Sequence, residues 1–200
     1  MSRPASQALG GFYKTQDTIR PLINRRFAVV TQPGRYAVVD PCAGEGEALA
    51  DCINAVFGAK AQRLSKTAWI EVVAIGIELE QIRSRQMDSR LYDTAAEHKA
   101  YHGDGLCGDF KGAGASLLWL NPPYDFFRGQ RFESRFLDKW TPSLTSSGQL
   151  VLIVPESALP YLTATLTAWY DDLEVLRYPE PEYQEFKQVV VLGTKRALVG

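Results

Sequence analysis

Apolar residues in this chain fall in short runs separated by stretches of helical spacing. Tyr36-Ala-Val-Val-Asp40 reads as a strand, closed at once by Pro41-Cys-Ala-Gly-Glu-Gly46. Leu49, Cys52, Ile53 and Val56 then recur at i, i+3, i+4 and i+7, which predicts a helix. Trp69–Ile77 is a second strand ending at Glu78, and residues 79–91 suit a helix. Lys99–Gly103 is a third, weaker strand ending at Asp104. Ser116-Leu-Leu-Trp-Leu120 is a fourth, stopped by Asn121-Pro-Pro-Tyr124. Glu133–Trp140 fits a helix with Phe132, Phe136, Leu137 and Trp140 apolar on one side. Gln149–Val154 is a fifth strand, followed by a helix near 158–170. Leu173–Tyr178 and Lys187–Leu192 are the last two strands, with a Pro/Glu-rich loop and no helix expected between them. Near the start, Thr15 to Phe27 is expected to be a helix capped by Thr15, with Ile19, Leu22 and Ile23 on one face. Alternating strands and helices predict a parallel sheet covered on both faces. The short final connection predicts an antiparallel return.

The remaining composition narrows the setting. The chain has 200 residues, which suggests one domain: residues 1–10 as a flexible lead-in and 11–200 as the folded part. Lys plus Arg is 22 against 23 for Asp plus Glu, so bulk charge does not hold nucleic acid. A nucleic-acid partner would need a local patch. Arg128, Arg131 and Arg135, interleaved with Phe126 and Phe127, are the candidate patch. Arg25 and Arg26, and Arg83, Arg85 and Arg90, are further clusters. No apolar run approaches the roughly 20 residues of a membrane helix, and the N-terminus is polar. Three cysteines without a Cys-x-x-Cys pair predict neither a disulfide framework nor a metal site. A cytoplasmic location is the expectation.

The chemistry concentrates at strand ends. The Asp40–Gly46 turn has glycines that admit a ligand to the backbone, and a helix N-terminus follows. Leu49 stands where a dinucleotide fingerprint needs its third glycine, which disfavours NAD. Gly193-Thr-Lys-Arg is not a Walker loop. In an open parallel sheet the strand C-termini line one crevice. Glu78 there can accept both hydroxyls of a ribose, and Asp104 can accept from an adenine amino group. The two prolines of Asn121-Pro122-Pro123-Tyr124 remove backbone donors and stiffen the turn. The Asn121 side-chain oxygen and the Pro122 carbonyl then form a pair of acceptors for a planar NH2 group. Tyr124 offers a flat face for stacking a base, and Phe186 or Tyr183 could pack its other side. His98 and His102 read as surface and strand residues.

This order of motifs resembles class I S-adenosylmethionine-dependent methyltransferases, in particular the group that methylates amino nitrogens of nucleic acids. Asp40, Pro41, Cys42, Ala43, Gly44, Glu45 and Gly46 resemble its cofactor motif, and Glu78 and Asp104 match its ribose and adenine acids. Asn121, Pro122, Pro123 and Tyr124 match its catalytic motif. Gly11-Phe-Tyr13-Lys-Thr15 resembles the segment that precedes the cofactor motif in gamma-class adenine methyltransferases, with Gln16 in place of the usual proline. The resemblance implies a Rossmann-like α/β fold with a seven-stranded, mostly parallel sheet whose last strand is antiparallel. It implies S-adenosyl-L-methionine as cofactor, bound in part by Tyr13 and Thr15. It also implies N6 methylation of a flipped-out adenine in DNA, in a restriction-modification or related setting. Arg128, Arg131, Phe186 and Tyr124 are then expected to hold substrate. Cys42 is read as a small loop residue and not as a nucleophile, since the cytosine carbon-5 enzymes carry theirs after the fourth strand. A separate target-recognition domain is not expected within this chain. Recognition would come from a partner subunit, a further C-terminal part, or the 125–131 loop. RNA amino groups and protein glutamine are alternative substrates. A catalytically idle cofactor-binding subunit of a larger complex is the alternative outside enzymes.

Overall fold

The computed structural model describes residues 13–58, 69–94, 96–110, 114–127 and 129–197. The lead-in over 1–10 and Arg128 lie outside the described residues. Helix α1 is Arg20–Asn24, followed by β1 (Gly34–Asp40), α2 (Glu47–Phe57), β2 (Ile70–Glu78), α3 (Gln81–Tyr92) and β3 (Glu97–His102). Then come β4 (Ala115–Leu120), a small hairpin of β5 (Phe126–Phe127) and β6 (Gln130–Arg131), and α4 (Phe132–Trp140). The chain closes with β7 (Leu144–Pro155), α5 (Leu159–Trp169), β8 (Tyr170–Arg177), α6 (Glu182–Phe186) and β9 (Gln188–Lys195). The seven long strands belong to one mixed sheet in the order β3-β2-β1-β4-β7-β9-β8. This is the Rossmann-like topology of class I methyltransferases.

The chain forms two compact units, Lys14–Asp109 and the stretch from Phe110 onward with Tyr13. In the first, β1, β2 and β3 run parallel, with Asp40 opposite Gly76 and Glu78 opposite His102. Its core is Val38, Val39, Leu49, Cys52, Ile53, Ala74, Met87 and Leu91. The i, i+3, i+4, i+7 face of α2 is the buried one, as its spacing requires. In the second, β4 pairs parallel with β7, and β9 pairs antiparallel with both β7 and β8. Leu118, Trp119, Leu120, Leu150–Val154 and Val191 are fully buried there, which is why these strands read as unbroken apolar runs.

Five local expectations are corrected. The helix over Thr15–Phe27 is only Arg20–Asn24, with Ile19 as its N-cap and Pro21 in its first turn. Thr15 does not cap it. It is buried, and its carbonyl accepts from Arg20. Ile19 and Ile23 are buried as expected, whereas Leu22 is exposed. The stretch after the catalytic-type motif contains the β5–β6 hairpin, with Gly129 at positive φ, the conformation glycine tolerates in tight hairpin turns. Finally, the loop between β8 and β9 carries the short helix α6, which buries no residue and so left no periodic signal.

Gly46 is fixed by packing as well as by its left-handed φ of 79°. A Cβ there would lie 2.9 Å from Met87 Cγ and 3.1 Å from Met87 Cα. Gly46→Ala is therefore expected to lower the unfolding free energy by about 1–3 kcal/mol. Urea unfolding followed by circular dichroism measures this; an unchanged midpoint would contradict the packing account.

Candidate active site

In the Lys14–Asp109 unit, the ends of the three parallel strands converge. Ala43 N–H donates to the Ile77 carbonyl at 3.0 Å, tying the turn after β1 to the end of β2. Gly103 N–H donates to the Glu78 carbonyl at 2.9 Å, tying the turn after β3 to the same place. Asp40 is buried, and its Oδ1 accepts the Cys42 N–H at 2.9 Å. Burial, with nearby Glu78 adding to it, pushes the Asp40 carboxyl up to about 8. Burial likewise raises the Cys42 thiol well above its ordinary value, and the charges of Asp40, Glu78 and Asp104 add to the rise. This environment disfavours the thiolate form of Cys42. All three acids lie within electrostatic reach of this one loop residue.

Glu78 is buried and organises the turn. Its Oε2 accepts the Gly44 N–H at 3.0 Å. Its Oε1 accepts the Glu80 N–H at 2.9 Å and the Arg83 guanidinium at 2.8–2.9 Å. Among the described residues Oε2 has this one donor, and a carboxylate oxygen can accept a second, such as a hydroxyl. Asp104 is exposed, and its Oδ1 accepts the Leu106 N–H at 2.8 Å. Beside Glu78, Leu79 is an exposed apolar side chain. Free acceptor capacity, an exposed carboxylate and an apolar surface fit the hydroxyl, amino and ring groups of an adenosine.

The segment leading into this unit is anchored by a carboxylate that the sequence did not single out. Glu47, in the first turn of α2, pairs with Lys14 at 2.6 Å, Arg20 at 3.1 Å and Arg90 at 3.3 Å. Arg20 also pairs with Asp51 at 2.6 Å. Arg90 donates to the Glu45 carbonyl at 2.8 Å. Arg83 and Arg90, two of the further basic residues, bond Glu78 and the Glu45–Glu47 turn respectively. Arg25, Arg26 and Arg85 are exposed.

In the other unit, Asn121 follows β4 beside the ends of β7 and β9. The register aligns Leu120 with Leu152, and Pro155 with Gln188. Both ends of the Asn121 amide are engaged. Its Nδ2 donates to the Tyr13 carbonyl at 2.6 Å, and its Oδ1 accepts the Tyr124 hydroxyl at 2.6 Å. The Tyr124 hydroxyl in turn accepts from Gln188 Nε2 at 2.6 Å. The Tyr13 ring stacks on Tyr124, with centroids 4.8 Å apart and planes 20° from parallel. One face of Tyr124 is thus covered by Tyr13, a residue expected at the cofactor. Burial raises the Tyr124 phenol well above its ordinary value.

The remaining substrate candidates are placed as follows. Arg131 pairs with the buried Glu133 at 2.9 Å and lies over the rings of Phe126 and Tyr161 at 4.8 and 5.2 Å. It is held by the fold and is not a mobile cation. Arg135 lies over Phe132. Tyr183 bonds Glu156 and lies under Arg177 and Lys187, and Phe186 is half-buried. Sequence reading missed Glu133, Gln188 and Tyr178. Each is buried with one side-chain oxygen lacking a partner among the described residues. The sign available in the sequence was a glutamine opening the apolar run Gln188-Val-Val-Val-Leu192. Among the described residues, no group of three or more His, Cys, Asp or Glu could hold a metal ion, and no helix is long and apolar enough to cross a membrane.

The raised Asp40 value has a signed consequence. Folded Asp40 holds its proton to about pH 8, whereas an unfolded aspartate loses its proton near pH 4. The folded state binds more protons across that window, so stability falls as pH rises through it. Asp40→Asn keeps an acceptor for the Cys42 N–H and removes the titration. The variant is expected to gain on the parent steadily between about pH 5 and about pH 8 in urea unfolding. A constant difference would contradict the burial of an ionisable Asp40.

Comparison with known proteins agrees with this fold. Residues 6–198 match the family described as "Uncharacterised methyltransferase family (DUF6094)". No curated relative matches the chain in sequence. Among solved structures, it resembles a putative class I S-adenosylmethionine-dependent methyltransferase from Listeria monocytogenes (TM-score 0.74, 13% identity, 95% of this chain and 63% of that one). It also resembles the type I restriction-modification methyltransferase subunit from Streptococcus thermophilus (0.68, 14%, 93% and 45%). A third is the tRNA (m1A58) methyltransferase TrmI from Aquifex aeolicus (0.63, 14%, 93% and 71%). The chain thus spans less than two thirds of the length of the first two. At these identities the likeness is one of fold. The family match covers nearly the whole chain: this protein belongs to the uncharacterised methyltransferase family DUF6094.

Proposed function

We propose that this methyltransferase acts on the N6 amino group of adenine in DNA. The observation that carries the reading is the Asn121-Pro-Pro-Tyr124 turn after β4, with the Asn121 amide oriented by the Tyr124 hydroxyl. A carbonyl oxygen has two lone pairs. Asn121 Oδ1 receives the Tyr124 hydroxyl, which holds the amide oxygen at the end of β4.

Gly44, Glu78 and Asp104, with the turn Asp40–Gly46, would hold the adenosine part of the cofactor, which supplies a methyl group on a sulfonium when bound. An adenine amino nitrogen is a poor nucleophile because its lone pair is delocalised into the ring. Asn121 Oδ1 and the Pro122 carbonyl would accept its two hydrogens and favour a tetrahedral nitrogen with the lone pair exposed. Their partial negative charges also stabilise the positive charge that develops there. No strong base is required, because the nitrogen's proton becomes acidic as the new N–C bond forms. The work of these residues is orientation and electrostatics.

The target base would leave its helix to reach Asn121, at a cost of a few kcal/mol. Tyr124 has one face against Tyr13, so any stacking it gives the base uses its other face or follows displacement of Tyr13. With Arg131 tied to Glu133, phosphate contacts fall to Arg25, Arg26, Arg85 and residues nearer the catalytic loop. A type I restriction-modification subunit among the structural neighbours is compatible with a DNA substrate and a separate specificity partner.

The test supplies radiolabelled S-adenosylmethionine with unmethylated DNA, RNA and a release factor in parallel. Label is expected on DNA adenine. Asn121→Ala is expected to lower its rate of transfer about 100-fold or more while cofactor affinity stays within about twofold. Label on RNA or on protein alone would replace this substrate. Cofactor binding without any transfer would leave the scaffold reading.

A further inference from the structure

Gln188 opens β9 and is followed by Val189, Val190, Val191 and Leu192, all buried. Gln188 itself is 1% exposed, and its Oε1 has no hydrogen-bond partner among the described residues. A buried unpaired acceptor costs about 1–3 kcal/mol. An apolar side chain of similar length would avoid that cost at the start of a buried apolar strand. The fold alone gives no reason for a glutamine here. Buried groups kept at a stability cost gather at functional sites.

The other end of the amide supplies the reason. Gln188 Nε2 donates to the Tyr124 hydroxyl at 2.6 Å. Nε2 is a donor only, so the phenol oxygen is the acceptor in that bond. The phenol's own proton must therefore point elsewhere. The acceptors in reach are Asn121 Oδ1 at 2.6 Å and the Ile153 carbonyl at 3.4 Å, and the short bond goes to Asn121. With Oδ1 on the tyrosine side, Nδ2 faces the Tyr13 carbonyl at 2.6 Å. The chain of donors runs one way, from Gln188 through Tyr124 to Asn121 and on to Tyr13. Reversing any member would set two donors or two acceptors against each other.

We propose that Gln188 is a positioning residue for methyl transfer: by donating to the Tyr124 hydroxyl it fixes which end of the Asn121 amide faces the target amino group. It touches neither substrate nor cofactor and acts through Tyr124. The proposal rests on the reading of Asn121 as the amino-group acceptor. Only the phenol of Tyr124 can pass the direction on; a phenylalanine ring has no hydroxyl to do so.

The decisive variants are Gln188→Met and Gln188→Glu in the full chain. Gln188→Met fills the space without a donor. It is expected to lower kcat for DNA methylation about tenfold, the weight of one hydrogen bond. Cofactor affinity by calorimetry and KM for DNA should hold within about twofold, and the melting temperature should hold or rise. Gln188→Glu offers an ionised acceptor that reverses the phenol. Its kcat should fall at high pH and recover as pH drops and the buried carboxyl gains a proton. The pH profile of the parent should lack this limb. Structure is read separately by nuclear magnetic resonance. The Asn121 side-chain amide and the Tyr124 Cζ signals should both move in Gln188→Met. Unmoved signals overturn the relay. Moved signals with unchanged kcat overturn the positioning role. A kcat loss that follows a falling melting temperature, with no pH-dependent recovery in Gln188→Glu, reduces Gln188 to a packing residue and also overturns it. If the parent protein methylates no nucleic acid, the substrate reading fails. The two resonance shifts then still decide whether Gln188 sets the Asn121 amide.

Discussion

The hydrogen bond from the Tyr124 hydroxyl to Asn121 Oδ1 gives the loop after β4 its chemical direction. A carboxamide is nearly symmetric in shape but opposite in chemistry at its two ends. An asparagine that is to accept from an amino group must present oxygen to it. In this protein the amide is clamped on both sides, by a phenol that donates to Oδ1 and a backbone carbonyl that accepts from Nδ2. The two prolines remove the backbone donors that would otherwise compete within the turn. Rigid strands β7 and β9 set the positions of Ile153 and Gln188, and thereby of Tyr124. Orientation is built into the resting protein and needs no rearrangement as charge develops.

The Lys14–Asp109 unit solves a different problem with the same economy of groups. Glu78 receives the Gly44 N–H on one oxygen and Glu80 with Arg83 on the other. The carboxylate therefore shapes the glycine turn before it meets any ligand. Gly46 lies against Met87 of α3, so the tightness of that turn is a packing requirement too. Glu47 gathers Lys14, Arg20 and Arg90, and so fastens the incoming segment to the first turn of α2. Its negative charge at a helix N-terminus is favourable in its own right.

Much of this was legible in the sequence because the signals were local. The apolar runs of β1, β2, β4 and β7 and the spacing in α2 and α4 follow directly from burial. The strand-end acids follow from where those runs stop. The Thr15–Phe27 helix failed because Pro21 and the pairing of Arg20 override its weak periodicity. Helix α6 and the β5–β6 hairpin were invisible because so few of their residues pack inward. Arg83, Arg90 and Arg131 were read as candidate cations for nucleic acid, but each answers a carboxylate or carbonyl distant in sequence or hidden by folding. Gln188 lies 64 residues from Tyr124, a separation no periodicity reports. Tyr13 likewise meets Asn121 across 108 residues.

The account's central claim is that Asn121 receives an adenine amino group. The most direct measurement is mass spectrometry of nucleosides from DNA incubated with the protein and S-adenosylmethionine. The account predicts N6-methyl-2′-deoxyadenosine as the new nucleoside, absent when Asn121 is alanine. Methylation confined to cytosine, or adenine methylation that persists at full rate in the alanine variant, would contradict it.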